Sequence, residues 1–303
     1  KAKVIQEAVP DSLENPLTVV DLGCSKGVDL KKWAHSKVHH VYMVDDDEDD
    51  INECQKRFQE ISARWPNSFK ATFVEKDYVY DKITLPEEVD VVSCQMFVQK
   101  AFTSETEANN FAKNIFRLLK NGGHFVASIV NAEKIKTLIQ QSWDKKTCGN
   151  GIYSVELEYP ITESSVPFGQ KMIFRIHDKF FAENLVEMHT LVEVMLKNGF
   201  EIIWKKSFIE LYQEATKTED HRRMLAIIGV TQDGHLLMTP SHTETAALYE
   251  AVMFKKKGPE MTEEDPAKEE ESQEETSKNY DEVFEESVDR LIAEVREGPT
   301  TTE

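Results

Sequence analysis

Residues 19–30, Val-Val-Asp-Leu-Gly-Cys-Ser-Lys-Gly-Val-Asp-Leu, leave this chain few ways to fold. Two β-branched residues lead through Asp21 into a turn of small residues, where Gly23, Ser25 and Gly27 alternate; Leu30 and Trp33 then open a helical apolar face. A buried strand, a turn in which backbone must approach something closely, and a helix make one βα unit. In an open α/β sheet the crevice beyond the carboxyl ends of the strands is where a nucleotide-like ligand binds. The spacing Asp-x-Gly-x-Ser-x-Gly is not Gly-x-Gly-x-x-Gly, and no Gly-Lys-Ser/Thr follows, so a P-loop is excluded. The plain alternative is a tight βα turn with nothing bound. Asp21 reads either as support for the turn or as a cap of the next helix, and Lys26 either as turn support or as a surface lysine.

Three further strands end in polar residues. Val41–Val44 ends in Asp45, about 20 residues after the glycine turn, the interval at which an acid reaches a ribose hydroxyl pair. The acids 46–50 that follow suit the N-terminus of a solvated helix. Strand 71–76 ends in Asp77, and strand 89–94 in Gln95. The expected order is β/α alternation to about residue 130, with strands near 17–22, 40–45, 71–76, 89–94 and 123–129 and helices near 27–36, 48–64 and 105–120. Asn121-Gly122-Gly123 reads as the left-handed stop of the last helix. Parallel strands joined by helices imply right-handed crossovers and a doubly wound sheet. Beyond it, strands are expected at 151–158, 171–177, 200–206 and 247–255, with a helix at 182–198.

A chain of 303 residues allows one large domain plus an appendage. The four cysteines, at 24, 54, 94 and 148, have no CxxC spacing, so neither a disulfide framework nor a zinc site is indicated, and a reducing, intracellular setting fits. No apolar run approaches membrane-spanning length, and no secretory signal is visible. The chain opens at Lys1 rather than Met and so reads as a piece of a longer protein. Charge divides it. Residues 258–303 hold 17 Asp/Glu against 4 Lys/Arg, a net of −13, leaving −6 of the total −19 to the first 257 residues. The stretch 258–279 has the composition of an acidic disordered linker. Over 280–297, Tyr280, Val283, Phe284, Val288, Leu291, Ile292 and Val295 recur at helical spacing, an amphipathic helix that docks either on its own domain or on another protein.

The Asp-x-Gly-x-Ser-x-Gly turn resembles that of S-adenosylmethionine (SAM)-dependent methyltransferases. Seven further segments are similar to the eukaryotic mRNA cap guanine-N7 methyltransferases: 91–95 (VVSCQ), 101–104 (AFTS), 118–123 (LLKNGG), 149–155 (GNGIYSV), 167–171 (PFGQK), 208–212 (FIELY) and 248–250 (LYE). The likeness runs over residues 1–257 and omits the acidic tail. It implies a class I SAM-dependent methyltransferase, Rossmann-like with a mostly parallel seven-stranded sheet. It further implies SAM as cofactor with no metal, capped RNA as substrate and a nuclear setting. By the same resemblance Lys1 approaches the methionine carboxylate of SAM, Gly23 forms the glycine turn, Asp45 holds the ribose, Asp77 the adenine, and Gln95 lies beside the methyl donor. Glu183 matches a glutamate on the guanine edge of the cap, and Tyr249 an aromatic lining that pocket. On its residues alone, Glu183 reads as a carboxylate in the first turn of a helix.

Departures from the family pattern lie in the site. Ser25 and Val28 replace glycines, and a left-handed backbone at Val28 would strain a β-branched side chain. The family's Phe-x-x-His-Tyr becomes Met96-Phe97-Val98-Gln99-Lys100, and its next proline is Val130. Gln99 keeps hydrogen-bonding capacity and Lys100 can pair with cap phosphate. Methylation at guanine N7 needs no general base, so these changes bear on guanine recognition rather than on proton transfer. The alternatives are a degenerate SAM-fold scaffold and a methyltransferase with another substrate. A core charge of −6 disfavours autonomous RNA binding, and a basic activator or capping-machinery partner would supply the missing phosphate contacts.

Overall fold

The computed structural model describes residues 1–9, 15–66, 68–161, 167–177, 179–227, 229–232 and 235–258, which fall in one unit, Lys1–Pro259. The linker and helix expected beyond residue 258 lie outside the described residues.

After α1 (Ala2–Ala8), five strands run parallel: β1 (Leu17–Leu22), β2 (Val38–Asp45), β3 (Lys70–Glu75), β4 (Val89–Gln95) and β5 (Leu119–Val130). They are joined through α2 (Leu30–Ala34), α3 (Glu48–Arg64), the 3-10 turn Val98–Ala101 and α4 (Glu105–Leu118). After β5 come α5 (Ala132–Gln141) and a second, antiparallel sheet of β6 (Thr147–Gly149), β7 (Tyr153–Leu157), β8 (Lys171–Ile176) and β9 (Lys179–Asn184). The chain then forms α6 (Met188–Lys197), β10 (Phe200–Ser207), α7 (Phe208–Ala215) and α8 (Glu219–Ile227). A short hairpin of β11 (Thr231–Gln232) and β12 (His235–Leu236), α9 (Pro240–Ala246) and β13 (Tyr249–Lys256) complete it. The main sheet has the order β10-β13-β5-β4-β1-β2-β3, with β13 antiparallel to both its neighbours. This is the mostly parallel seven-stranded sheet expected from the sequence.

The strand period of two sorts the apolar side chains between the two faces. Val20, Val92, Ala127 and Phe254 pack with Phe111 and Ile115 of α4 and Leu191 and Met195 of α6. Val19, Val91, Val126 and Met253 pack with Ile5 of α1, Leu30 and Trp33 of α2, and Cys54 of α3. Each Val, Leu, Ile, Phe or Met among them contributes roughly 1.5–3 kcal/mol when fully buried. A third cluster under the small sheet, including Ile135, Tyr153, Phe174 and Leu248, anchors that sheet to β5 and β13.

Three local expectations need correction. The helix expected at 182–198 begins only at Met188, because 179–184 pair with β8, Met172 opposite Glu183. The helix expected at 27–36 is confined to 30–34, since the left-handed glycine at 27 holds the turn open until then. Asn121-Gly122-Gly123 does not stop α4. The chain leaves that helix through extended Leu119, and the glycines occupy a bulge where the β4–β5 register jumps from Val89↔Leu119 to Val91↔His124. The acids after Asp45 do open α3, with Asp47 as its cap accepting from the Asp50 N–H at 2.9 Å.

Candidate functional site

The glycine turn is built against the end of β2. The N–H groups of Gly23 and Cys24 both donate to the Val44 carbonyl, at 2.9 and 3.1 Å. Gly23, Ser25 and Gly27 all have positive φ (68°, 45° and 74°), so the strain of the replaced glycines falls on Ser25, and Val28 has no left-handed backbone. A non-glycine residue there costs about 1–2 kcal/mol. Ser25 offsets this with two hydrogen bonds, its N–H to Asp45 Oδ2 at 2.8 Å and its hydroxyl to Asp50 Oδ2 at 2.7 Å.

Asp21 does not cap α2. It is 2% exposed and accepts the Trp33 indole N–H at 2.9 Å, pinning that helix to the sheet. Burial, reinforced by nearby Asp29, pushes its carboxyl up to about 7. Lys26 lies on the surface, half exposed, 3.7 Å from Asp50. Lys1 reaches over the crevice to the Gln95 carbonyl at 3.2 Å and to Asp29 at 3.5 Å. Asp45 is nearly buried at the end of β2; it accepts from Ser25 and, at 3.2 Å, from the Asp47 N–H, which leaves lone pairs for a further donor. Burial raises its carboxyl above the ordinary range against those two N–H groups.

Asp77 Oδ1 accepts from the N–H groups of Val79 (2.8 Å) and Tyr80 (3.3 Å), while Oδ2 lies 2.8 Å from the Lys100 ammonium. Burial works to raise this carboxyl, but Lys100 and the two N–H groups outweigh it and hold it below the ordinary range. Gln95 ends β4 as expected, yet its carboxamide is folded into the sheet. It donates to Ser93 Oγ (3.2 Å) and the Val126 carbonyl (3.4 Å) and accepts from Ser128 Oγ (3.0 Å). Met96 follows with φ 74°, turning the chain into the Val98–Ala101 turn.

That turn sends its side chains two ways. Lys100 ion-pairs with Asp46 Oδ2 at 2.6 Å and with Asp77 on the cofactor side. Gln99, 2% exposed, donates through Nε2 to Glu183 Oε2 at 3.2 Å on the other side. Asn184 Nδ2 fixes the turn by donating to the Gln99 carbonyl at 2.9 Å. Gln99 Oε1 and Asn184 Oδ1 are buried and accept no hydrogen bond among the described residues. Burial pushes the Glu183 carboxyl up to about 7 against the opposing Gln99 bond. Tyr249, on the first residue of β13, lies between Phe174 (6.1 Å) and Phe208 (5.5 Å). Its hydroxyl is pushed up to about 12 by burial and by the charge of Glu183. Val130 pairs with Tyr249 across β5 and β13.

Sequence reasoning missed Asn184 and the buried Glu250, which lies 3.8 Å from Lys205 and is likewise pushed up to about 7 by burial. The signal for Asn184 was a polar residue beside Glu183, hidden by the expectation of a helix there. Two motifs prove to be supports. Asn150 closes a turn on the Ile152 N–H (2.8 Å) and ties it to α9 through Ser241 O and Glu244, each at 3.2 Å. The Gly169 N–H donates to the Phe102 carbonyl at 2.9 Å while Phe168 stacks on Phe102, bracing the turn that carries Gln99 and Lys100. Among the described residues no group of three or more His, Cys, Asp or Glu is placed to hold a metal ion, and all four cysteines are free.

The sheet order and the strand-end crevice define the SAM-dependent methyltransferase fold. A solved SAM-dependent methyltransferase from Clostridium acetobutylicum superposes with a TM-score of 0.51 at 13% identity, covering 84% of this chain and 90% of its own. Residues 1–257 match the mRNA (guanine-N(7))-methyltransferase domain, and the chain belongs to that family. It is 30% identical to the mRNA cap guanine-N(7) methyltransferase of Schizosaccharomyces pombe, over 85% of this chain and 73% of that protein. It is also 30% identical to the enzyme of the same name from Drosophila melanogaster, over 71% of this chain but only 54% of that one. The chain thus spans about half the length of the fly relative.

The residues present fit SAM by the chemistry of their donors and acceptors. Asp45 keeps free lone pairs at the interval suited to ribose hydroxyls, Asp77 follows the neighbouring strand β3, and the Lys1 ammonium stands over the end of β4, a charge that suits a carboxylate.

Proposed function

We propose that this chain methylates N7 of the 5′ guanosine cap of RNA, within a domain of residues 1–257. The observation that carries the reading is the pair of Gln99 and Glu183, a half-buried carboxylate that accepts one hydrogen bond from a side chain among the described residues, from Gln99 Nε2 at 3.2 Å, and keeps lone pairs for further donors. A buried acceptor left short of donors costs about 1–3 kcal/mol, so this carboxylate favours a ligand with adjacent donors. Guanine offers N1–H and N2–H on one edge, and adenine has no such pair. Tyr249 gives an aromatic face near enough to feel the charge of Glu183.

When bound, SAM supplies a methyl group already activated by its sulfonium. Asp45 and Asp77 would hold its nucleoside and Lys1 its carboxylate. Glu183 and Gln99 would hold guanine by the edge away from N7, leaving the N7 lone pair free. That lone pair carries no proton, so the site needs no base; rate comes from alignment and from a polar cleft preorganised around the transferring charge.

With a net charge of −6 over residues 1–257, RNA phosphates would be gripped with help from a basic activator of the capping machinery, and the family resemblance assigns the work to the nucleus. The test is incubation with labelled SAM and capped or uncapped RNA. Label on capped RNA alone is the expected result. No transfer to either, with S-adenosylhomocysteine still bound, would favour a scaffold instead.

A further inference from the structure

We propose that Lys100, which stands where the family has a cap-facing tyrosine, is a positioning residue of the cofactor pocket. Its ammonium holds Asp46 and Asp77 in the arrangement that receives the nucleoside. The proposal rests on the reading of this crevice as the SAM site.

Asp46 follows β2 and Asp77 follows β3, and these strands are neighbours: Asp45 pairs with Glu75, and the Lys76 N–H donates to the Asp45 carbonyl at 2.9 Å. Asp45, Asp46 and Asp77 therefore crowd three carboxylates onto two adjacent strand ends. Among the described residues, Lys26 at 3.7 Å from Asp50 and Lys76 at 4.0 Å from Asp81 are committed elsewhere on the surface, and Lys1 is paired with Asp29 at 3.5 Å. Lys100 Nζ is shut off from solvent, 2.6 Å from Asp46, 2.8 Å from Asp77 and 5.1 Å over the Tyr78 ring. A like-charge group without its cation repels, and repulsion in a half-buried site is screened less than at the surface.

The backbone that carries Lys100 is fixed independently of these acids. Tyr78 donates its hydroxyl to the Phe97 carbonyl at 3.0 Å, and Asn184 holds the Gln99 carbonyl. Reaching a cap phosphate would require Lys100 to abandon both carboxylates. The neighbouring Gln99 serves the guanine side, so two adjacent residues of one turn divide the two pockets between them.

Calorimetry on the whole chain tests this, with S-adenosylhomocysteine as the cofactor probe and GTP as the guanine probe. Lys100→Met is expected to weaken S-adenosylhomocysteine about tenfold and to leave GTP affinity within about twofold. Lys100→Arg should restore most of the loss. Salt gives a readout that a merely structural lysine would not move. Added salt should weaken the wild-type complex slightly but tighten that of Lys100→Met, because it screens the acids from one another. Should Lys100→Met not fold, Lys100→Gln keeps a polar head between the acids without the charge and is expected to weaken S-adenosylhomocysteine by a similar factor. Unchanged S-adenosylhomocysteine affinity in the folded variant, or a larger loss for GTP than for S-adenosylhomocysteine, overturns the assignment. A wild-type chain that binds no S-adenosylhomocysteine removes the cofactor reading and this proposal with it.

Discussion

Gly23→Ala is expected to lower S-adenosylhomocysteine affinity by about 100-fold and to destabilise the fold by about 2–4 kcal/mol. Two independent costs meet at this position. The backbone has φ 68°, where a Cβ costs about 1–2 kcal/mol. A Cβ built there would lie 2.6 Å from both Cβ and Cγ of Phe97. Those atoms are close to the Phe97 backbone, so no rotamer change relieves the overlap and the backbone itself must move. Phe97 accepts the Tyr78 hydroxyl and leads into the turn bearing Gln99 and Lys100, so the shift would reach the proposed cofactor and cap sides together. Gly151→Ala is the control. Among the described residues nothing lies within 4 Å of its added Cβ, and its φ is not left-handed, so its stability should stay within about 0.5 kcal/mol of wild type. Thermal melts and calorimetry check both, and wild-type affinity in Gly23→Ala would remove the glycine turn from the cofactor site.

The parallel half of the sheet was legible because its strands carry their own signature: β-branched runs ending in a polar residue at the crevice, as in 38–45 and 89–95. Buried on both faces, such strands read as continuous apolar segments. β9 carries no comparable signal. It pairs on one side only, as the edge of the small sheet, and Phe180 and Phe181 are both exposed, so no alternation marks it as a strand. Its last residues, Glu183 and Asn184, therefore read from sequence as part of the following helix; that helix starts only at Met188, so Glu183 is not a carboxylate of its first turn.

Side-chain direction was less legible than strand position. Gln95 stands at the expected strand end, but Ser93 and Ser128, one on its own strand and one on β5, draw its carboxamide into the sheet. The Lys100 pairing joins residues 46, 77 and 100, which meet only because β2, β3 and the turn after β4 open on the same crevice. No local pattern encodes such a contact. The same holds for Asp21, whose partner is the indole of Trp33 rather than a helix N-terminus.

Glu183 yields the last prediction, in which stability and guanine binding move in opposite directions with pH. Its carboxyl is pushed up to about 7 from an ordinary 4.5 by burial, against the opposing hydrogen bond from Gln99. The native state therefore holds this proton more tightly than the unfolded chain does. The stability penalty grows as pH rises from about 4.5 to about 7 and is constant above, amounting to at most about 3 kcal/mol. Glu183→Gln removes the titration, so its stability relative to wild type should improve as pH rises through that window. Asp21 and Glu250 also titrate near 7, but they do so in both proteins, and the difference between the two stability curves isolates Glu183. Guanine binding runs the other way. The ionised carboxylate accepts from both N1–H and N2–H in charge-assisted bonds, whereas the neutral acid has lost half that capacity. Affinity for a cap dinucleotide should rise between pH 6 and 8 in the wild type. In Glu183→Gln it should be flat with pH and lower at pH 8 by about 1.5–3 kcal/mol. S-adenosylhomocysteine affinity should be unaffected. A wild-type affinity that does not change over this range, or a Glu183→Gln variant that binds the cap dinucleotide as wild type does, would take the guanine edge away from Glu183.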